Sequence, residues 1–249
     1  MSGHSKWAQI KRQKGANDAR KGAVFTRLAR EIQVAAREGG PNPDANVRLR
    51  LAIQKARAEN MPADNIKRSI EKATGAGGHE QLEEITYEGY GPGGAAILVQ
   101  AVTDNRNRTV GEVRAAFNRG GGALGESGSV AWIFEPRGIV VVASNGRDPD
   151  EIALAAIDAG AEDVKAEEGI VEIYTQPAAL EQVRDALASQ GQTIEHAETT
   201  MMPKTTVDLD DEKAEQVVKL VERLEGLDDV QQVYTNAEFH DSVLAQAGG

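Results

Sequence analysis

The sequence predicts an α+β protein: an N-terminal three-helix domain followed by two ferredoxin-like α/β domains, one inserted into the other. Three observations carry this prediction. The charge changes sign along the chain: residues 1–75 hold 16 Lys+Arg and 7 Asp+Glu, net +9, whereas residues 76–249 hold 12 and 32, net −20. Apolar residues recur at helical spacing up to Gly75, where Gly75-Ala76-Gly77-Gly78 reads as a linker. Beyond Pro136, strand and helix patterns alternate as β-α-β-β-α-β, the split ferredoxin-like order.

Each element follows from local chemistry. Residues 1–16 are basic and poor in apolar side chains, so they read as an extended arm. Asn17-Asp18 is a helix N-cap pair, and Phe25, Leu28, Ile32 and Ala35 form one apolar stripe before Gly39-Gly40-Pro41 stops the helix. A second helix follows Asp44 and runs to about Ala58, with Val47, Leu51 and Ile53 as its apolar residues. A third has Pro62 in its first turn, Ile66 and Ile70 on one face and Gly75 as its stop. In the body, residues 139–143, 163–166, 170–174 and 193–198 read as strands, with helices over 150–159 and 178–189. The flanking pieces read as a second copy: strand 95–103, helix 109–118 and strand 129–134, then strand 206–209, helix 211–225 and strand 230–234. The expected domains are therefore residues 1–78, residues 79–135 with 203–249, and residues 136–202.

Composition removes several function classes. The 249 residues are 40% hydrophobic and 27% charged, ordinary for a globular chain, and the length allows two or three cores. With no cysteine, disulfides, thiolate metal sites and cysteine nucleophiles are impossible. No apolar run, residues 95–99 included, is long enough to span a bilayer, and the start lacks the apolar core of a secretory signal. No membrane association and a cytoplasmic location are expected.

The motifs that suggest chemistry fail on context. Residues 120–125 fit G-x-G-x-x-G, but a helix precedes and a strand follows, the reverse of a dinucleotide site. Residues 125–129 nearly make a nucleophile elbow, with Ser129 where glycine is required. His4, His79, His196 and His240 are scattered, and the acids of 208–212 suit a helix start. No catalytic residue, metal, cofactor or small-molecule substrate is expected.

Nucleic acid is the better partner. Within residues 1–30, Lys6, Lys11, Arg12, Lys14, Arg20, Lys21, Arg27 and Arg30 face a single acid, Asp18. Such clusters bind phosphates by releasing counterions, and Trp7 lies among them as a stacking ring. A second candidate is the strand-to-helix segment Thr103-Asp104-Asn105-Arg106-Asn107-Arg108-Thr109: Arg106 and Arg108 either reach phosphate or pair locally, with Asn107 capping the helix. The chain path brings Gly91, Gly93 and Gly94 to the same sheet end as Gly121 and Gly122, where bare backbone can approach a crowded partner or simply turn.

These segments also carry a family resemblance. Gly3-His4-Ser5-Lys6-Trp7-Ala8, Asp18-Ala19-Arg20-Lys21-Gly22, Met61-Pro62-Ala63-Asp64-Asn65-Ile66, Tyr87-Glu88-Gly89-Tyr90-Gly91-Pro92-Gly93-Gly94, residues 103–109, Gly128-Ser129-Val130 and Asp228-Asp229-Val230 together resemble the YebC family over nearly the whole chain. That family also contains a mitochondrial translational activator of cytochrome oxidase subunit one. The basic start matches the family's bacterial start, so it is read as an arm and not as a transit peptide. Departures fall at Ala23, where a Lys is usual, and at Asn236-Ala237-Glu238-Phe239. The resemblance implies a three-domain fold and a non-enzymatic regulator of gene expression, either a transcriptional regulator binding DNA or a ribosome-associated factor binding rRNA or mRNA. For a DNA reader the second helix supplies Arg48, Arg50, Lys55 and Arg57; for folded RNA the arm and glycine loops suit shape recognition.

Overall fold

The computed structural model describes residues 18–75, 82–167, 169–240 and Val243. The segment 134–204 forms one compact unit, and the remaining described residues form the other.

The helical head consists of α1 (Asp18–Gly39), α2 (Val47–Ala58) and α3 (Ala63–Thr74). Its core joins Leu28, Ile32, Ala35 and Ala36 of α1 to Leu49, Ala52, Ile53 and Ala56 of α2, with Met61 and Ile66 closing the third side. The phase of α2 differs from the expected one, because Val47 is half exposed while Leu49 is buried. Asn46 explains this. Its side-chain carbonyl accepts from the Leu49 amide at 3.0 Å, while its amide donates to the carbonyls of Ala35 at 2.7 Å and Gly40 at 2.9 Å. The buried cap bolts the start of α2 to the end of α1, so the i, i+3, i+4, i+7 set from Leu49 turns inward.

The α/β part of the same unit holds β1 (Glu83–Tyr90), β2 (Ala96–Thr103), α4 (Arg106–Arg119), β3 (Ala123–Leu124), and later β8 (Val207–Asp208), α7 (Asp211–Glu225), β9 (Val230–Thr235) and β10 (Ala237–Glu238). Strands β4 to β7 and helices α5 and α6 make up the intervening unit, residues 134–204. The main sheet has the order β3-β1-β2-β9 and is antiparallel throughout. β1 and β2 form a hairpin in register from Glu83↔Thr103 to Tyr90↔Ala96. Ile97 and Val99 meet Val113 and Phe117 of α4 and Val217, Leu220, Val221 and Leu224 of α7, the expected two-layer core.

Three strand expectations change here. β1 had no expected counterpart. Of the strand expected at 129–134, residues 129–133 are not in a sheet: Ala131–Ile133 is a 3-10 turn, and Phe134 opens the first strand of the intervening unit. The Glu88 carboxylate takes the amides of Gly128, Val130 and Ala131, each at 2.7 Å, and donors converging on one carboxylate cannot also serve a sheet ladder. The strand expected at 206–209 shrinks to β8, which pairs in parallel with β10 outside the main sheet.

The inserted unit contains β4 (Phe134–Ala143), α5 (Pro149–Ala159), β5 (Asp163–Glu167), β6 (Ile170–Thr175), α6 (Leu180–Ser189) and β7 (Thr193–Pro203). Its order β5-β6-β4-β7, antiparallel at every step, is the ferredoxin-like arrangement. Val140, Val142, Val171 and Ile173 pack against Ile152 and Ala156 of α5 and Leu180, Val183 and Leu187 of α6. β4 begins before Pro136, earlier than expected. Over 134–137 it pairs with β7 alone, and a strand free on one side tolerates a proline. The class therefore stands: three helices, then two α/β domains, one inserted in the other. The discontinuous domain reaches it through a different set of strands.

Candidate nucleic-acid interface

Lys6, Trp7, Lys11, Arg12 and Lys14 lie outside the described residues. Arg20 and Lys21 belong to the first turn of α1. From there the basic face can be followed residue by residue. Arg27 reaches the Glu225 carbonyl at 3.5 Å. Arg30 donates to the Asp228 carbonyl at 2.6 Å and pairs with the Asp229 carboxylate at 2.8 Å. Both thus bind α1 to the turn that joins α7 to β9.

Asp229 is the hub of that junction. Its side chain is buried, and it accepts from Thr109 at 2.7 Å, Arg108 at 2.7 Å and Thr103 at 3.0 Å. Burial by itself would raise its pKa. The hydrogen bonds from Thr109, Arg108 and Thr103, with the charge of Arg30, outweigh burial and hold the carboxyl below its ordinary 3.8. All the invited donors converge on one carboxylate, so this cluster is saturated: it holds the head against the sheet and offers no activated nucleophile or free base.

The segment 103–109 is organised by that hub. Asn105, rather than Asn107, caps α4, accepting from the Arg108 amide at 3.0 Å. Arg108 bridges Asp104 and Asp229, both at 2.7 Å, so its guanidinium already has two carboxylates. Arg106 differs: its side chain is 69% exposed and its ion pair to Glu83 is long, at 3.8 Å. Of the two arginines, Arg106 is the more exposed and the more loosely paired.

On α2, Arg48 pairs with Glu38 and with Glu84 of β1, Arg50 donates to the Pro43 carbonyl at 3.1 Å, and Lys55 approaches Glu31 at 3.5 Å. Arg57 is exposed. The helix that a DNA reader would use for base contacts thus engages three of its four cations with partners in the chain itself.

The glycine residues divide by role. Gly91 is buried, and a Cβ there would press on Ile97 at 3.0 Å. Gly122 is fixed by backbone, because a Cβ would stand 2.5 Å from the Tyr90 carbonyl oxygen. Gly93, with φ +69°, would press on Leu209 at 2.5 Å. Gly94 and Gly121 are exposed at φ +79° and +74°, with open space or only a loose contact beside them. The two loops do share one end of the sheet, since Tyr90 pairs with both Ala96 and Ala123.

Sequence reasoning missed two buried acids of this region, Glu88 and Asp229. Glu88 and Asp229 appeared only inside motifs of the resemblance. Burial raises the Glu88 pKa, but the amides of Gly128, Val130 and Ala131 overcome it and keep the group below 4.5. Elsewhere, the acidic stretch 208–212 starts α7, with Asp210 capping the Lys213 amide at 2.8 Å. Among the described residues, no group of three or more His, Asp or Glu is placed to hold a metal ion, and no helix is long and apolar enough to cross a membrane.

The fold and this junction define a protein of three parts, a helical head pinned by a buried aspartate to an α/β domain that carries a second α/β domain within it. The sequence matches the family described as the TACO1/YebC protein N-terminal domain over residues 5–76 and the TACO1/YebC second and third domain over residues 82–237. The chain belongs to the TACO1/YebC family. A protein of Thermomicrobium roseum named a probable transcriptional regulatory protein is 59% identical over 240 residues, covering 96% of this chain and 97% of that one. A relative of the same name from Dehalococcoides mccartyi is 55% identical over 244 residues, 98% and 97% of the two chains. The crystal structure of a conserved hypothetical protein from Aquifex aeolicus superposes with a TM-score of 0.82 at 48% identity, covering 90% of this chain and 93% of that one.

Proposed function

We propose that the chain is a non-enzymatic regulator of gene expression that works in the cytoplasm by binding nucleic acid through its basic N-terminal domain, residues 1–78. The observation that carries this reading is the charge division: net +9 before Gly75 and net −20 after it. Eight cations within the first 30 residues supply local attraction to phosphate, while the acidic body limits indiscriminate attachment. The names of the relatives point to transcription, and so to duplex DNA as the first target.

A second reading, RNA of the translation machinery, is favoured by one observation. Arg48, Arg50 and Lys55 of α2 are held by intramolecular partners, which leaves that helix poorly equipped to read base edges in a major groove. A basic arm and exposed loops suit recognition of RNA shape. Co-sedimentation of the full chain with ribosomes at moderate salt, lost at high salt, supports RNA. A free chain that retards one promoter duplex but not random DNA supports transcription. Binding to neither at low salt refutes the proposal.

A further inference from the structure

We propose that Tyr90 and Trp132 form a platform on which an unstacked base of a single-stranded nucleic acid lies. The proposal rests on the nucleic-acid reading above and names where a base sits.

Trp132 is 65% exposed and Tyr90 is 40% exposed, large rings where burial is the norm. Their polar edges are tied down. The Tyr90 hydroxyl donates to the Ser129 carbonyl at 2.9 Å, and the Trp132 indole Nε1 donates to the same oxygen at 3.1 Å. With the polar edges converging on one atom, what remains for a partner is ring face. The loop that carries Ser129 is itself anchored by three backbone N–H groups that donate hydrogen bonds to buried Glu88, so the platform is organised before any ligand arrives.

The surroundings favour a base over an apolar peptide. The exposed neighbours in the two loops include Gly94, Gly121, Ser127 and Gly128, which offer backbone but no apolar side chains. A peptide would find two rings and little else to bury. A nucleobase needs one flat face for stacking and nearby amides or carbonyls for its edge. Arg119, exposed at the end of α4, and Glu126, exposed in the loop, oppose each other in charge. Attraction here therefore comes from stacking and hardly from phosphate, the opposite of the arm.

That contrast gives the test. The sequence has two tryptophans, so full-length Trp7→Phe leaves Trp132 as the sole indole emitter. It is titrated with a single-stranded RNA of about 12 nucleotides, the DNA of the same sequence and the corresponding duplex, following both Trp132 fluorescence and the anisotropy of labelled strand. We expect Trp132 quenching that tracks single-strand binding. Adding Trp132→Ala should weaken that binding about tenfold with the salt slope unchanged, and Trp132→Phe should restore most of it. Quenching by RNA alone or by DNA alone identifies the sugar. Binding without quenching, together with an unchanged affinity in Trp132→Ala, overturns the platform and leaves the nucleic-acid reading standing. An apolar peptide that shifts Trp132 emission where oligonucleotides do not assigns the surface to a protein and also overturns it. Failure to bind any strand at low salt removes both readings together.

Discussion

At the residue scale, two buried carboxylates do most to hold the candidate interface in shape. Asp229 has a folded pKa below its unfolded value, so its contribution is complete above about pH 4 and is lost as pH falls through the folded pKa. Asp229→Asn should cost about 3 kcal/mol at pH 7, because Arg30 and Arg108 lose their shared counter-charge. The gap in melting temperature between wild type and variant should narrow as pH is lowered from neutral toward 3; a gap that widens contradicts the assignment. Glu88→Gln presents one acceptor oxygen to three amides and should cost about 2 kcal/mol. Hydrogen exchange at Gly128, Val130 and Ala131 should accelerate while that of the α4 and α7 cores does not. Neither acid is conspicuous in the sequence. Asp163-Val164 and Asp229-Val230 both stand where the chain passes from a helix into a strand, yet Asp163 is exposed and Asp229 buried. The difference comes from Arg108, 121 residues away, and from Arg30 in another domain, partners that no local pattern announces.

At the element scale, legibility tracked periodicity. The three head helices follow from apolar spacing, Pro62 and Gly75, and the inserted unit from its β-branched strands. β1 was hidden because only Ile85, Tyr87 and Gly89 alternate inward, among acids that read as loop. Residues 129–134 misled for the converse reason: Val130, Trp132 and Ile133 resemble strand, but Glu88 claims the amides of Gly128, Val130 and Ala131, and the Ile133 amide turns back to the Val130 carbonyl. The glycine loops divide in a way that stability can check. Gly122→Ala drives a Cβ against the Tyr90 carbonyl and should cost about 3 kcal/mol. Gly94→Ala meets open space and should cost about 1 kcal/mol for its positive φ alone. Urea unfolding of the two variants measures the order, and equal losses would mean that Gly122 is not held by the β1–β3 pairing.

At the scale of the whole molecule, the net charge of −11 conceals the property that matters. A basic head is pinned by Arg30 to an acidic α/β body, so attraction to phosphate is local while the rest of the surface repels it. The sequence exposed this division directly, since it needs only counting. It could not expose how many head cations are already engaged, because the partners of Arg48 and Arg30 come from β1 and from the turn before β9. On the proposed reading, those engaged cations leave the binding to the basic residues 6–14. The most direct measurement is the dependence of nucleic-acid affinity on salt for the full chain and for the triple variant Lys11→Ala, Arg12→Ala, Lys14→Ala. Weaker binding is expected in the variant, with a slope of log K against log salt reduced by about 2–3 and the melting temperature unchanged. An unchanged slope in a folded variant would contradict it.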